Sequence, residues 1–165
     1  VDGHETTTNL IGNGMLALLQ HPDQMHLLRE NPALIQPAVE EMLRYDRSVP
    51  RGWRIAKTDV EIAGQTIKQG ALIFPMLSAA NRDPAVFPAP DQFNIEREQN
   101  RHVAFGYGIH FCLGAPLARL EGAIAINTLL QRLPELRLAE DAQLTWRHDV
   151  AIRSLNALPV VFKNI

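Results

Sequence analysis

The segment Phe105-Gly106-Tyr107-Gly108-Ile109-His110-Phe111-Cys112-Leu113-Gly114 constrains this chain more than any other. It sets the only cysteine where a glycine-rich loop runs into an apolar helix. A thiol at the first turn of a helix faces unpaired backbone N–H groups and the positive end of the macrodipole, which stabilise its anion. Thiolate is a soft ligand suited to iron. Glycines at 106, 108 and 114 permit unusual backbone angles and let a flat cofactor come close. Phe105 stands where its ring would wall off the sulfur. The ordinary alternative is a lone cysteine acting as a small inert hydrophobe.

Composition narrows the choice of class. A chain of 165 residues, 46% hydrophobic and 21% charged, is long enough for one core. With a net charge of -2 and no run of five like charges, it offers no basic field to nucleic acid. One cysteine excludes an internal disulfide framework and any zinc site built from two thiolates, and fits a reducing cytoplasm. No apolar run approaches the about 18 residues of a membrane span, and the first residues do not read as a signal peptide.

Apolar periodicity predicts a helix over about 3–20, with Leu10, Ile11, Met15, Leu16, Leu18 and Leu19 on it, ended by His21-Pro22. A short helix starts at Pro22 and stops near Asn31-Pro32, and a third runs over 35–45. Short β-like pieces follow at 53–56, 60–62, 65–67 and 71–74, with turns at Ala63-Gly64 and 68–70. Residues 82–103, with Pro84, Pro88 and Pro90, read as a long meandering loop. A helix is expected over 115–132, its small residues Ala115, Ala118 and Ala123 suited to close packing, and strands at 136–139, 144–146 and 159–162. The fold class is mainly α with small β-sheets.

Phe105-x-x-Gly108-x-x-x-Cys112-x-Gly114 resembles the haem-ligand signature of the cytochrome P-450 family, the haem-thiolate monooxygenases. The resemblance implies the C-terminal portion of the P-450 fold, with residues 1–165 as part of a single domain and the N-terminal part lying outside this chain. It implies haem b as cofactor, Cys112 as axial ligand to its iron, and Phe105, Gly106 and Gly114 at the same site. Arg54 matches a family arginine on the first strand after the third helix, and His110 a histidine two residues before the thiolate. Both are expected to serve the haem propionates. His102 is a further candidate for the haem edge.

Glu5-Thr6 resembles the family's acid-alcohol pair in its oxygen-side helix, Thr6 the hydroxyl that passes protons toward dioxygen and Glu5 its relay. The local alternative is a capping box of Asp2 with Glu5. His4-Glu5 does not begin a zinc-protease helix, because position 8 is Thr and not His. Glu41 and Arg44, three apart on one helix face, would alone be an exposed ion pair. They match the family's buried Glu-x-x-Arg motif, which locks its helix to the meander. Gln92 stands where many members have Arg, leaving Arg97 as the substitute third member. Residues 48–52 and 153–156 are expected to contact substrate, and His21, His26 and His148 to be solvated.

These features imply a monooxygenase of the soluble bacterial type, acting on a small organic substrate with dioxygen. Its electrons would come from a ferredoxin and ferredoxin reductase, with Arg119 among the basic residues facing an acidic donor. Two other readings stand beside it: a cysteine-nucleophile enzyme using Cys112 with His110 as base, and a non-catalytic incomplete polypeptide. The 165 residues alone are expected to bind haem poorly.

Overall fold

The structure, a computed structural model, describes residues 3–163. Helix α1 spans Glu5–Gln20, α2 Pro22–Glu30 and α3 Ile35–Tyr45, the last two joined by a 3₁₀ turn at Pro32–Leu34. The Asp2 of the capping-box reading lies outside the described residues. His4 is the N-cap and makes no side-chain capping bond. Instead Thr8 Oγ donates to the His4 carbonyl at 2.9 Å and Asn9 Nδ2 to that of Glu5 at 2.8 Å, so side chains bond back along the first turns. At the other end, Pro22 begins α2 and disfavours helical geometry at His21.

Helices α1, α3 and the later α5, Ala115–Arg132, enclose the core. Leu10, Leu18, Val39, Met42 and Ile126 are among its buried side chains. Two glycines set how closely the helices approach. A Cβ on Gly14 would stand 2.8 Å from Met42 Sδ, and one on Gly122 would stand 3.3 Å from Leu10 Cδ2. A side chain at either position would require the Met42 or Leu10 side chain to give way.

Three two-stranded antiparallel sheets flank the helices. Strand β1, Arg54–Ile55, pairs with β4, Leu72–Ile73; β2, Val60–Ile62, pairs with β3, Gln65–Ile67. The β2–β3 connection is the two-residue turn Ala63-Gly64, both at positive φ as a right-twisted hairpin requires. Near the chain end β5, Arg137–Leu138, pairs with β6, Val160–Val161. The strand expected at 144–146 does not form a ladder. Only a single bridge, Trp146 to Leu155, occurs there. A four-residue helix α4, Leu77–Ala80, too short for a periodic signal, lies before the meander.

The meander at 82–103 has no helix or strand, and buried charges hold it. Glu41 and Arg44 are fully buried, with two hydrogen bonds between them at 2.7 and 2.8 Å. Arg44 also donates to the carbonyls of Asn81, Pro90 and Gln92. Glu41 accepts from the Asn94 amide at 2.9 Å and Asn100 Nδ2 at 3.1 Å. Arg97 Nε completes the set, 3.2 Å from Glu41 Oε2. Loop backbone without a ladder thus finds its partners in side chains of α3.

Candidate functional site

Between the meander and α5 the chain folds back on itself. Gly106 and Gly108 adopt φ of 77° and 70°, so the glycines answer a backbone demand. A 3₁₀ turn, Gly108–His110, follows, and the Cys112 amide then donates to the Phe105 carbonyl at 2.9 Å. The thiol is exposed. One expectation is corrected: helix α5 begins at Ala115 with Gly114 as N-cap, so Cys112 lies just outside the first turn. Gly114 has an ordinary φ of -80°. A Cβ there would stand 3.9 Å from Cys112 Sγ, so its lack of a side chain keeps the space beside the sulfur open.

The sulfur opens onto a cavity of about 330 Å³. Opposite the loop, α1 contributes Thr6, Thr7 and Leu10; the stretch after α3 contributes Arg47, Ser48 and Val49. Of the residues expected from sequence, Thr6, Arg54, Phe105, Gly106, His110, Cys112 and Gly114 all line this one space. Thr6 and Cys112, 106 positions apart in the chain, therefore line one cavity. Glu5 does not line the cavity; its half-exposed carboxylate lies 3.4 Å from Arg147 Nη1. Thr6 is tied to the opposite wall through its backbone, because Ser48 Oγ donates to the Thr6 carbonyl at 3.0 Å.

Other expectations change. His102 does not line the cavity: its buried ring meets Glu40 at 3.1 Å. His21 is not simply solvated. Its Nδ1 bonds the Ala17 carbonyl at 2.8 Å and its ring packs on Tyr45 and Phe93. His26 and His148 are exposed as expected. From 48–52 only Ser48 and Val49 reach the cavity, and from 153–156 none does. Arg153 instead holds Asp46 at 2.6 Å and covers the Trp146 ring. Among the described residues no hydrogen bond joins Cys112 to His110, so the nucleophile-base pair lacks its first requirement.

Two features were not read from the sequence. Glu40 accepts two bonds from Arg119, at 2.6 and 2.9 Å, besides His102. Burial pushes the Glu40 carboxyl up, but the His102 and Arg119 hydrogen bonds and charges outweigh it and lower its pKa from 4.5 to about 2. Arg119 is raised by its Glu40 hydrogen bond, against burial, with the Glu40 and Cys112 charges assisting. Its guanidinium lies 4.7 Å over the Phe105 ring, so it braces the loop and is not a free surface charge. The second feature is Arg47, 4% exposed, whose pKa burial pushes down to about 10. Arg47 lies two residues past the end of α3, after the non-helical C-cap Asp46, so no periodic pattern marks it.

The cytochrome P450 family model matches residues 1–145. The chain is 53% identical over 163 residues to the biotin biosynthesis cytochrome P450 of Bacillus subtilis, covering 99% of this chain and 41% of that protein. It is 51% identical over 162 residues to the vitamin D(3) 25-hydroxylase of Pseudonocardia autotrophica, covering 97% of this chain and 40% of that one. Among solved structures it resembles P450BioI in complex with an acyl carrier protein ligated to hexadec-9Z-enoic acid, with TM-score 0.95 and 53% identity over 98% of this chain and 42% of that chain. CYP109E1 from Bacillus megaterium in complex with corticosterone matches with TM-score 0.95 and 38% identity, over 99% of this chain and 44% of that chain. The chain thus spans about two fifths of the length of these relatives. The match runs through the cysteine loop, the Glu41–Arg44 helix and the threonine-bearing α1 alike, and the chain belongs to the cytochrome P450 family.

Proposed function

We propose that this chain supplies the oxygen side and the thiolate loop of a haem-thiolate monooxygenase acting on a small organic substrate. The 165 residues are the C-terminal part of its single domain. The observation that carries this reading is the common cavity: an exposed thiol in one wall faces a threonine hydroxyl-bearing helix in another. Those residues suit haem b. A thiol is the right donor for iron, Arg54 and His110 are cationic or hydrogen-bonding partners for propionates, and Leu10, Leu43 and Leu117 give apolar contact. Glu121 is the one carboxylate in that wall.

Haem supplies dioxygen activation and one-electron chemistry when bound, and the overall change is substrate plus dioxygen, two electrons and two protons to oxygenated substrate plus water. The chain's part is to hold and deliver. Cys112 would hold the iron of bound haem, its backbone fixed by the bond from its amide to the Phe105 carbonyl. Phe105, braced by Arg119, shields one side of the sulfur. Thr6 passes protons from Glu5 toward the cavity, and Ser48 steadies its helix turn through the Thr6 carbonyl. Ser48 and Val49 meet the substrate. Electrons come from an external donor, a ferredoxin and its reductase in this reading, and the protein works in the cytoplasm.

The deciding measurement is the reduced, carbon monoxide difference spectrum of the full-length protein, compared with Cys112→Ser. The wild type is expected to give a thiolate-type band that the variant loses. A wild type lacking that band would remove this reading.

A further inference from the structure

Arg47 is a cation in the cavity wall with no carboxylate to answer it. It is 4% exposed, and among the described residues no ion pair includes it. By contrast the neighbouring Arg44 faces Glu41 directly. The Arg47 fork donates to two carbonyls, Nη1 to Val103 at 3.0 Å and Nη2 to Ala104, while its buried Nε has no partner. Taking a unit charge out of water without a counter-charge is costly. Carbonyl dipoles offset only part of that cost.

The two carbonyls belong to the residues just before Phe105, and the Phe105 carbonyl in turn receives the Cys112 amide at 2.9 Å. Arg47 and Cys112 line the same cavity. Resting on the proposed haem site, we propose that Arg47 is a positioning residue of that site. Its fork anchors the root of the thiolate loop, and its buried charge counters the negative thiolate and favours the reduced, more negative state of the iron. A thiolate and two propionates make the bound group net anionic, which supplies the counter-charge that the described residues do not.

The test is the one-electron reduction potential of the haem-loaded full-length protein, with Arg47→Gln and Arg47→Lys beside the wild type. Arg47→Gln is expected to lower the equilibrium constant for reduction on the order of tenfold, 59 mV for a one-electron couple. Arg47→Lys keeps the charge and should stay near the wild-type value. Equal potentials in wild type and Arg47→Gln would overturn the proposal, since loss of packing alone has no reason to act with charge. A Gln variant that fails to load haem while the Lys variant loads it also supports the proposal; failure of both overturns it in favour of a packing role for the fork. A wild type with no thiolate spectrum would sink the haem site itself, whereas a normal spectrum with unchanged potentials sinks only the role of Arg47.

Discussion

Arg97 Nε lies 3.2 Å from Glu41 Oε2, so one buried carboxylate serves two guanidiniums, its own helix's Arg44 and one from the meander. Glu41 is the shared counter-charge. Replacing it with Gln leaves two buried cations in excess, and a loss of about 3–5 kcal/mol is expected in urea unfolding. Arg97→Gln should cost less, about 1–3 kcal/mol, because Arg44 still balances Glu41. Equal costs for the two variants would contradict this division of roles.

Thr6→Ala should leave the carbon monoxide spectrum unchanged, because Thr6 is remote in sequence from the ligand loop and binds no iron. Product formed per electron consumed should fall several-fold, with the difference appearing as peroxide. An unchanged ratio would remove Thr6 from proton delivery.

Acid should test the Glu40 cluster. Its folded pKa of about 2 lies below the ordinary 4.5, so the carboxylate binds protons less readily when folded. The resulting stabilisation is complete above about pH 4.5 and is lost as pH falls through about 2. The stability difference between wild type and Glu40→Gln should therefore be flat near neutrality and shrink across that interval. A difference that does not vary with pH would mean that the cluster contributes through packing alone. With Arg119→Met, which removes two donated bonds and the positive charge, the acid-sensitive interval should move up toward 4.5.

The 165-residue chain by itself should bind haem weakly. Leu117, Leu120 and Ile124 form an exposed stripe along α5, and Ile109 and Leu113 are each 98% exposed beside the thiol. Such a face sheds haem or self-associates unless something covers it. A stable thiolate-type carbon monoxide band from these residues alone would contradict the expectation.

Where the determining interactions are local, the sequence is readable. The helix over 35–45, the Ala63-Gly64 hairpin turn and the positive-φ glycines at 106 and 108 depend on neighbours a few positions away. Even the small-residue face of α5 follows from spacing, though it also includes Gly122, where a Cβ would stand 3.3 Å from Leu10 Cδ2 of α1. The segment around 144–146 did not, because a lone bridge to Leu155 carries no periodic pattern.

By itself the sequence determined the ligand loop and its likeness to a haem-thiolate site, since Phe105, Gly108, Cys112 and Gly114 lie within ten residues and their spacing is their chemistry. Tertiary structure alone decided which distant groups meet that loop. It drew His102 away to Glu40, left residues 153–156 out of the cavity, and set Arg47 under the residues leading to Phe105. Charge and burial are properties of the packed whole: an arginine reads the same in sequence whether water or a carbonyl receives it. The lone thiol can be proposed as a ligand from sequence, and the buried cation behind it is visible only once the chain is folded.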